Sequence, residues 1–338
     1  MLESAARFVP CADEVFRLQR GNGGECRHFQ AMADQGHYGR GGGTRQGIYV
    51  FAPSGKLLAS ANTLKAEHVL NLLDEGFAAW EALPASMRRL APSDLLIPEA
   101  RWEDSYPSDG LALRGTVRDL GKAGEPLAPG ARMNVDFAWF SAEEARSLLP
   151  VKPRVGATQR APREMLVRFA ALHLVDNVRG QTIPFAPDEI TEAELNTRVL
   201  ARDGDHVRLA LTGHTRAESD GIWRLGDSDW GTDAELPRSI DVEWRGEADF
   251  DLRTQRFTRF DLLVFGEREG RGTVNGRHDD PGPSRLGWVF RLGDDSPAER
   301  IAPTFADHYD VPWVTRPATA GAHLWLAPSE LIDAPIGG

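Results

Sequence analysis

Two periodicities divide the chain. Between residues 66 and 83 the apolar side chains Val69, Leu72, Leu73, Phe77 and Trp80 recur at steps of three and four, which predicts an amphipathic helix that Pro84 ends. Ahead of it, IYVF (48–51) and KLLAS (56–60) predict two short strands. Pro53, Ser54 and Gly55 join them, proline fixing φ and glycine supplying φ > 0. Further back, CRHFQAMADQG (26–36) carries Phe29, Met32 and Ala33 at helical spacing with Gly36 placed to stop it, and FVPCADEV (8–15) is an apolar run suited to a strand broken by Pro10. The glycines of HYGRGGGTRQG (37–47) make a loop, and residues 84–110, rich in proline and charge, predict a linker.

Beyond residue 110 alternation takes over. GLALRGTVRDL (110–120) predicts a strand. LNTRVLA (195–201) and HVRLALTG (206–213) form a hairpin around Arg202-Asp203-Gly204-Asp205. A second hairpin, IDVEWRGEADFDL (240–252) with RFTRFDLLVFG (256–266), turns at Arg253-Thr254-Gln255, and LGWVFRL (286–292) adds a further strand. Two helices interrupt them. One opens on a capping box of Ser141 and Glu144. The other, within 162–177, gathers Leu166, Phe169, Ala170, His173 and Leu174 on one face, with Pro162 in its first turn. The expected class is α+β. A small α/β unit at 1–83 and a linker at 84–110 precede a mainly antiparallel sheet or open barrel with one or two helices at 111–315, and a tail at 316–338 follows.

Composition narrows the partners. The 338 residues are 41% apolar and 26% charged, an ordinary globular balance with room for two cores. Net charge of −11 argues against a broad basic face for nucleic acid or anionic lipid, and no window approaches the roughly 20 apolar residues of a membrane span. Cys11 and Cys26 make neither a disulfide framework nor a zinc spacing. The opening MLESAARFVPC has no basic n-region or apolar core of a leader, which places the chain as written in the cytoplasm. No cofactor is expected, and the expected partner is a small ligand or another protein.

The order strand, helix, Gly-rich loop, strand, turn, strand, helix over residues 1–83 resembles the second half of the thioredoxin-like fold. FVPCAD takes the place of its third strand, CRHFQAMADQG of its third helix, IYVF/GKLLAS of its closing hairpin and VLNLLDEGFAAWEAL of its last helix. The resemblance implies a degenerate segment. The family's Cys-x-x-Cys would lie ahead of Met1, and Thr44, Arg45 or Gln46 holds the place of its cis-proline, where a non-proline cis bond costs about 3 kcal/mol. The missing second strand would leave unpaired backbone groups and a one-sided core. A fragment with Met1 as an internal start is the favoured expectation, exported if the true start lies upstream; a small, differently paired sheet is the other. GEADFDLRTQRFTRFDLLVFGE (246–267) resembles hairpins of secreted bacterial β-rich domains of unassigned role, a resemblance that implies no activity.

Several constellations can carry chemistry. Cys26, near a helix start beside Arg27 and His28, has the electrostatics of a thiolate, with Cys11 as its resolving partner in an apolar strand; two unrelated packed or surface thiols are the plainer reading. Arg40 and Arg45 flank the glycines of 37–47, but no strand leads directly into that loop and no helix follows it, so it lacks the context of a phosphate site. His173, Asp176 and Arg179 stand at i, i+3 and i+6, where a carboxylate can orient an imidazole, although Asn177 and Gly180 suggest the helix ends there and Asp176 caps a turn or pairs with Arg179. His278 and Asp280 in GRHDDPGP, with His308 in FADHYDVPW, could converge on a metal, though DDPGP is also ordinary turn chemistry. Trp223 and Trp230, in the polar loop GIWRLGDSDWG, can stack on a flat ligand or pack over a barrel mouth. The expected function is a non-catalytic binding or accessory protein whose ligand enters at the mouth of the β region. The alternatives are a thiol-disulfide redox enzyme using Cys26 with Cys11, and a metal-dependent hydrolase.

Overall fold

The computed structural model describes residues 2–9, 11, 15–20, 24–39, 44–89, 101–120, 133–225, 230–272, 275–294 and 296–316. Contacts divide the chain between residues 101 and 102 into two units. The first contains α1 (Leu2–Ala5), α2 (Val15–Arg20), α3 (Gly24–Ala33), β1 (Ile48–Phe51), β2 (Leu57–Ala61) and α4 (Ala66–Ala82). The hairpin forms as its turn residues dictate, with Gly55 at φ 78, and β1 pairs antiparallel with β2. Helix α4 packs on it so closely that a Cβ at Gly76 would meet the side chain of Val50. Phe77 stacks on Trp80 and receives Phe8 edge-on.

Among the described residues of 8–15 the expected strand is absent. Phe8, Val9 and Cys11 lie outside any strand, Val9 is 89% exposed, and α2 starts at Val15. Pro10 offers no N–H to a ladder, and the run has too few apolar residues to hold a face. Among the described residues this unit's sheet has two strands, β1 and β2.

The second unit is built on one antiparallel sheet. Its strands are β3 (Leu111–Leu120), β4 (Met133–Phe140), β5 (Thr158–Arg160), β6 (Ile190–Asp203), β7 (His206–Ser219), β10 (Arg238–Asp251), β11 (Arg256–Gly270) and β12 (Ser284–Leu292), in the order β4-β3-β12-β11-β10-β7-β6-β5. Helices α5 (Ala142–Ser147) and α6 (Arg163–His173) accompany it, the first with its Ser141/Glu144 capping box complete. The class is α+β, with a large antiparallel sheet and few helices. The stretch GIWRLGDSDWG (221–231), expected to be a polar loop, instead contributes to a separate pair, β8 (Ile222–Leu225) and β9 (Trp230–Glu235). Strand β4 had no counterpart in the sequence reading, and β6 starts five residues before the expected Leu195.

Alternation decides which face is buried. Leu195, Thr197 and Val199, then Val207, Leu209 and Leu211, then Ile240, Val242 and Trp244 line the inner face. Helix α6 lies on it. Phe169 touches Phe140 of β4, Phe290 of β12 and Trp244 of β10, with ring centroids at 5.6, 4.8 and 5.2 Å. In a flat sheet β4 and β10, four positions apart, would be about 19 Å from each other, beyond the reach of one ring. The sheet therefore curls around α6. Glycines permit close strand approach in the curl: a Cβ at Gly246 would meet the carbonyl oxygen of Asp261, and one at Gly266 that of Asp241. The outer face is polar and laced with cross-strand ion pairs, among them Arg208–Asp249 at 2.9 Å, Arg259–Glu247 at 3.0 Å and His214–Asp241 at 2.6 Å.

Candidate functional site

A cavity of about 560 Å³ opens beside α6 in the second unit. Helix α6 turns Leu166, Phe169 and Ala170 into the curled sheet, which leaves Glu164, Met165, Val167 and Arg168 toward the cavity. The segment 183–189 supplies the facing wall through Ile183, Pro184, Phe185 and Pro187. Ile222 and Val311 complete an apolar interior. This size and character match sites for small organic ligands.

Two arginines face this space, and both are engaged. Arg168 pairs with Glu144 at 2.6 Å and lies over the rings of Tyr309 and Phe140. Glu144 is held in turn by the capping-box N–H of Ser141 at 2.8 Å. Arg238 donates to the carbonyls of Ile183 and Pro184 at 2.8 and 2.7 Å and covers the ring of Phe185. Burial pushes its guanidinium down to about 10 despite Glu189 at 3.8 Å. Glu189 accepts from Ser219 Oγ and from the Ala186 N–H. Glu143, Glu164 and Asp310 are exposed at the cavity rim, and none of their carboxylates forms a hydrogen bond or ion pair among the described residues.

Behind the cavity a buried relay ties the segment 304–313 to α6. His173 is hydrogen-bonded to Asp136 Oδ2 at 2.8 Å through Nδ1 and to Tyr309 Oη at 2.7 Å through Nε2. Tyr309 Oη also accepts from the Trp139 N–H at 3.0 Å, and Thr304 donates twice to Asp136 Oδ1. Burial pushes Asp136 up, but the hydrogen bonds from His173 and Thr304 outweigh it and hold the carboxyl below its usual range. Burial raises Tyr309 far enough to keep it a neutral phenol. The relay positions His308, Asp310 and Val311 at the cavity edge without itself lining it.

The sequence-derived constellations fare differently. His173, Asp176 and Arg179 are not assembled on one helix, because α6 ends at His173. Asp176 instead takes a two-pronged contact from Arg277 at 2.8 and 2.7 Å, and Arg179 pairs with Asp119 and Asp280. These belong to a buried knot in which Arg277 also reaches Asp119 at 2.7 Å and Arg268 reaches Asp280 at 3.0 Å. Burial opposes ionisation of Asp119, yet the contacts from Arg179 and Arg277 hold its carboxyl below its usual range. Asp280 is thus committed to arginines, and His278 meets Arg271 at 3.1 Å. Among the described residues no group of three or more His, Cys, Asp or Glu is gathered to hold a metal, so His278, Asp280 and His308 do not converge as expected.

Cys11 is exposed, Cys26 is buried in α3, and no disulfide joins them. Cys11 does not lie in the apolar strand expected around it, and α3 starts early enough to draw Cys26 into the core. Trp223 and Trp230 lie on β8 and β9, and their side chains fall outside the described residues. Arg40 lies outside the described residues as well, whereas Arg45 pairs with Asp34 at 2.7 Å. Sequence reasoning missed Arg168, Glu144, Glu189 and Arg238. One signal was available, because Arg238 shares the inward parity of Ile240, Val242 and Trp244. Searches against protein-family models, curated proteins and solved structures return no match to this chain.

Proposed function

We propose that this chain is a non-catalytic binding or accessory protein whose ligand occupies the cavity beside α6. The observation that carries the reading is a preformed space of about 560 Å³ with apolar walls and a few charged groups held rigidly by their neighbours. Arg168 and Arg238 are fixed by partners on separate segments, so the site needs no ordering step before a ligand enters. The relay from Asp136 to Tyr309 offers no atom to the cavity and serves as a clamp on its wall. The first unit, with Cys26 buried and no disulfide to Cys11, accompanies this site as a non-redox segment of thioredoxin-like ancestry.

A neutral fluorescent probe tests the reading. N-phenyl-1-naphthylamine should brighten in the presence of the full chain. Val167→Trp, which places an indole in the space, should abolish the signal while leaving the melting temperature within a few degrees. Equal brightening by the parent and Val167→Trp would remove the cavity as the binding site.

A further inference from the structure

We infer that the cavity takes a small amphiphile with an apolar body and a cationic, ammonium-type head, an assignment that rests on the binding reading above and adds its chemical class. The walls set the first half of that description. Met165, Val167, Ile183, Phe185 and Val311 offer no charge or strong donor to the ligand's body.

The balance of charge sets the second half. Among the described residues, five carboxylates border the space, from Glu143, Glu144, Glu164, Glu189 and Asp310, against the two guanidinium groups of Arg168 and Arg238 and the imidazole of His308. Each arginine is already answered. Arg168 faces Glu144 at 2.6 Å, and Arg238 spends its donors on two backbone carbonyls with Glu189 beside it. An incoming anion would have to break one of these contacts in a low-dielectric setting and leave a buried charge or carbonyl unsatisfied. It would also approach past Glu143, Glu164 and Asp310, the rim carboxylates with no cation of their own among the described residues. A cation meets the opposite situation: the rim attracts it, and its apolar portion replaces water along the walls. Because the rim groups stay solvated, they select among ligands while apolar burial supplies most of the affinity.

Calorimetric titration of the full chain with three probes sharing one tail tests this: decyltrimethylammonium, decanol and decanoate, each below its micellar concentration. The ammonium should bind tightest and decanoate weakest, with about a tenfold gap between them that narrows as salt is raised. The combined variant Glu143→Gln, Glu164→Gln, Asp310→Asn, at exposed positions that leave the fold intact, should close the gap and leave decanol unchanged. Decanoate binding as well as or better than the ammonium overturns the charge assignment and leaves the binding reading standing. Failure of all three probes overturns the binding reading itself. A lysine-rich peptide that binds where decyltrimethylammonium does not would replace the small ligand with a protein segment and overturn the proposal.

Discussion

Arg259 and Arg268 stand on the same strand, β11, and both reach aspartates, yet they live in opposite worlds. The Arg259 side chain is 40% exposed on the outer face and spreads over Asp249, Glu247 and Asp261. The Arg268 side chain is 1% exposed on the inner side, packed against Arg277, Asp176 and Asp280. Strand parity alone separates them, since Arg268 shares the inward register of Leu262 and Val264. The outer lattice can lose a member to water. The inner knot cannot, because each charge there was desolvated on the understanding that its partner would be present.

Removing the hub of the knot should therefore have the largest effect. Arg277→Ala takes from Asp176 its two-pronged partner, leaving Arg268 at 3.6 Å, and from Asp119 one of its two arginines, and is expected to cost about 3–5 kcal/mol in denaturant unfolding. A loss below about 1 kcal/mol would place this knot with the outer lattice. Next comes the relay, which is buried but carries less charge. Tyr309→Phe deprives the His173 ring and the Trp139 N–H of their partner and should cost about 1–3 kcal/mol.

Acid titration sharpens the same contrast. The folded-state carboxyls of Asp136 and Asp119 lie below their unfolded values, so their stabilisation is fully present above the unfolded pKa and disappears as pH falls through the folded one. Stability should be level from neutrality to about pH 5 and decline below about pH 4. In Asp136→Asn that decline should be shallower, read from urea midpoints across the series. The smallest effect is expected on the outside. Arg259→Ala should shift stability by no more than about 1 kcal/mol, and less in high salt.

What the sequence disclosed follows the range of the forces involved. The hairpin at 48–61, helix α6 and the long strands around Gly204 and Gln255 were legible because period, cap and turn residues all lie within a few positions of one another. The expected run at 8–15 failed because a strand needs a neighbour, which local pattern cannot promise. The knot draws on positions 119, 176, 179, 268, 277 and 280, and the relay joins residues 136, 173 and 309. Partnerships across such distances leave no spacing to read. His173 was noticed, but with the wrong carboxylate: the nearby Asp176 was expected, and Asp136, 37 residues away, holds it. The cavity beside α6 was not read from the sequence: the expected site was the mouth of the β region, and Glu144, Arg168 and Arg238 were not named as site residues.

Gly246 and Gly266, where the two longest adjoining strands nearly touch, bear on more than backbone geometry. A single methyl group at either position would prise those strands apart and unroll the cradle beneath α6. On the proposed binding reading, the fit of a guest would be governed from a distance, by two hydrogen atoms that never meet it. A lineage could retune the fit there while every surface the guest feels keeps its chemistry.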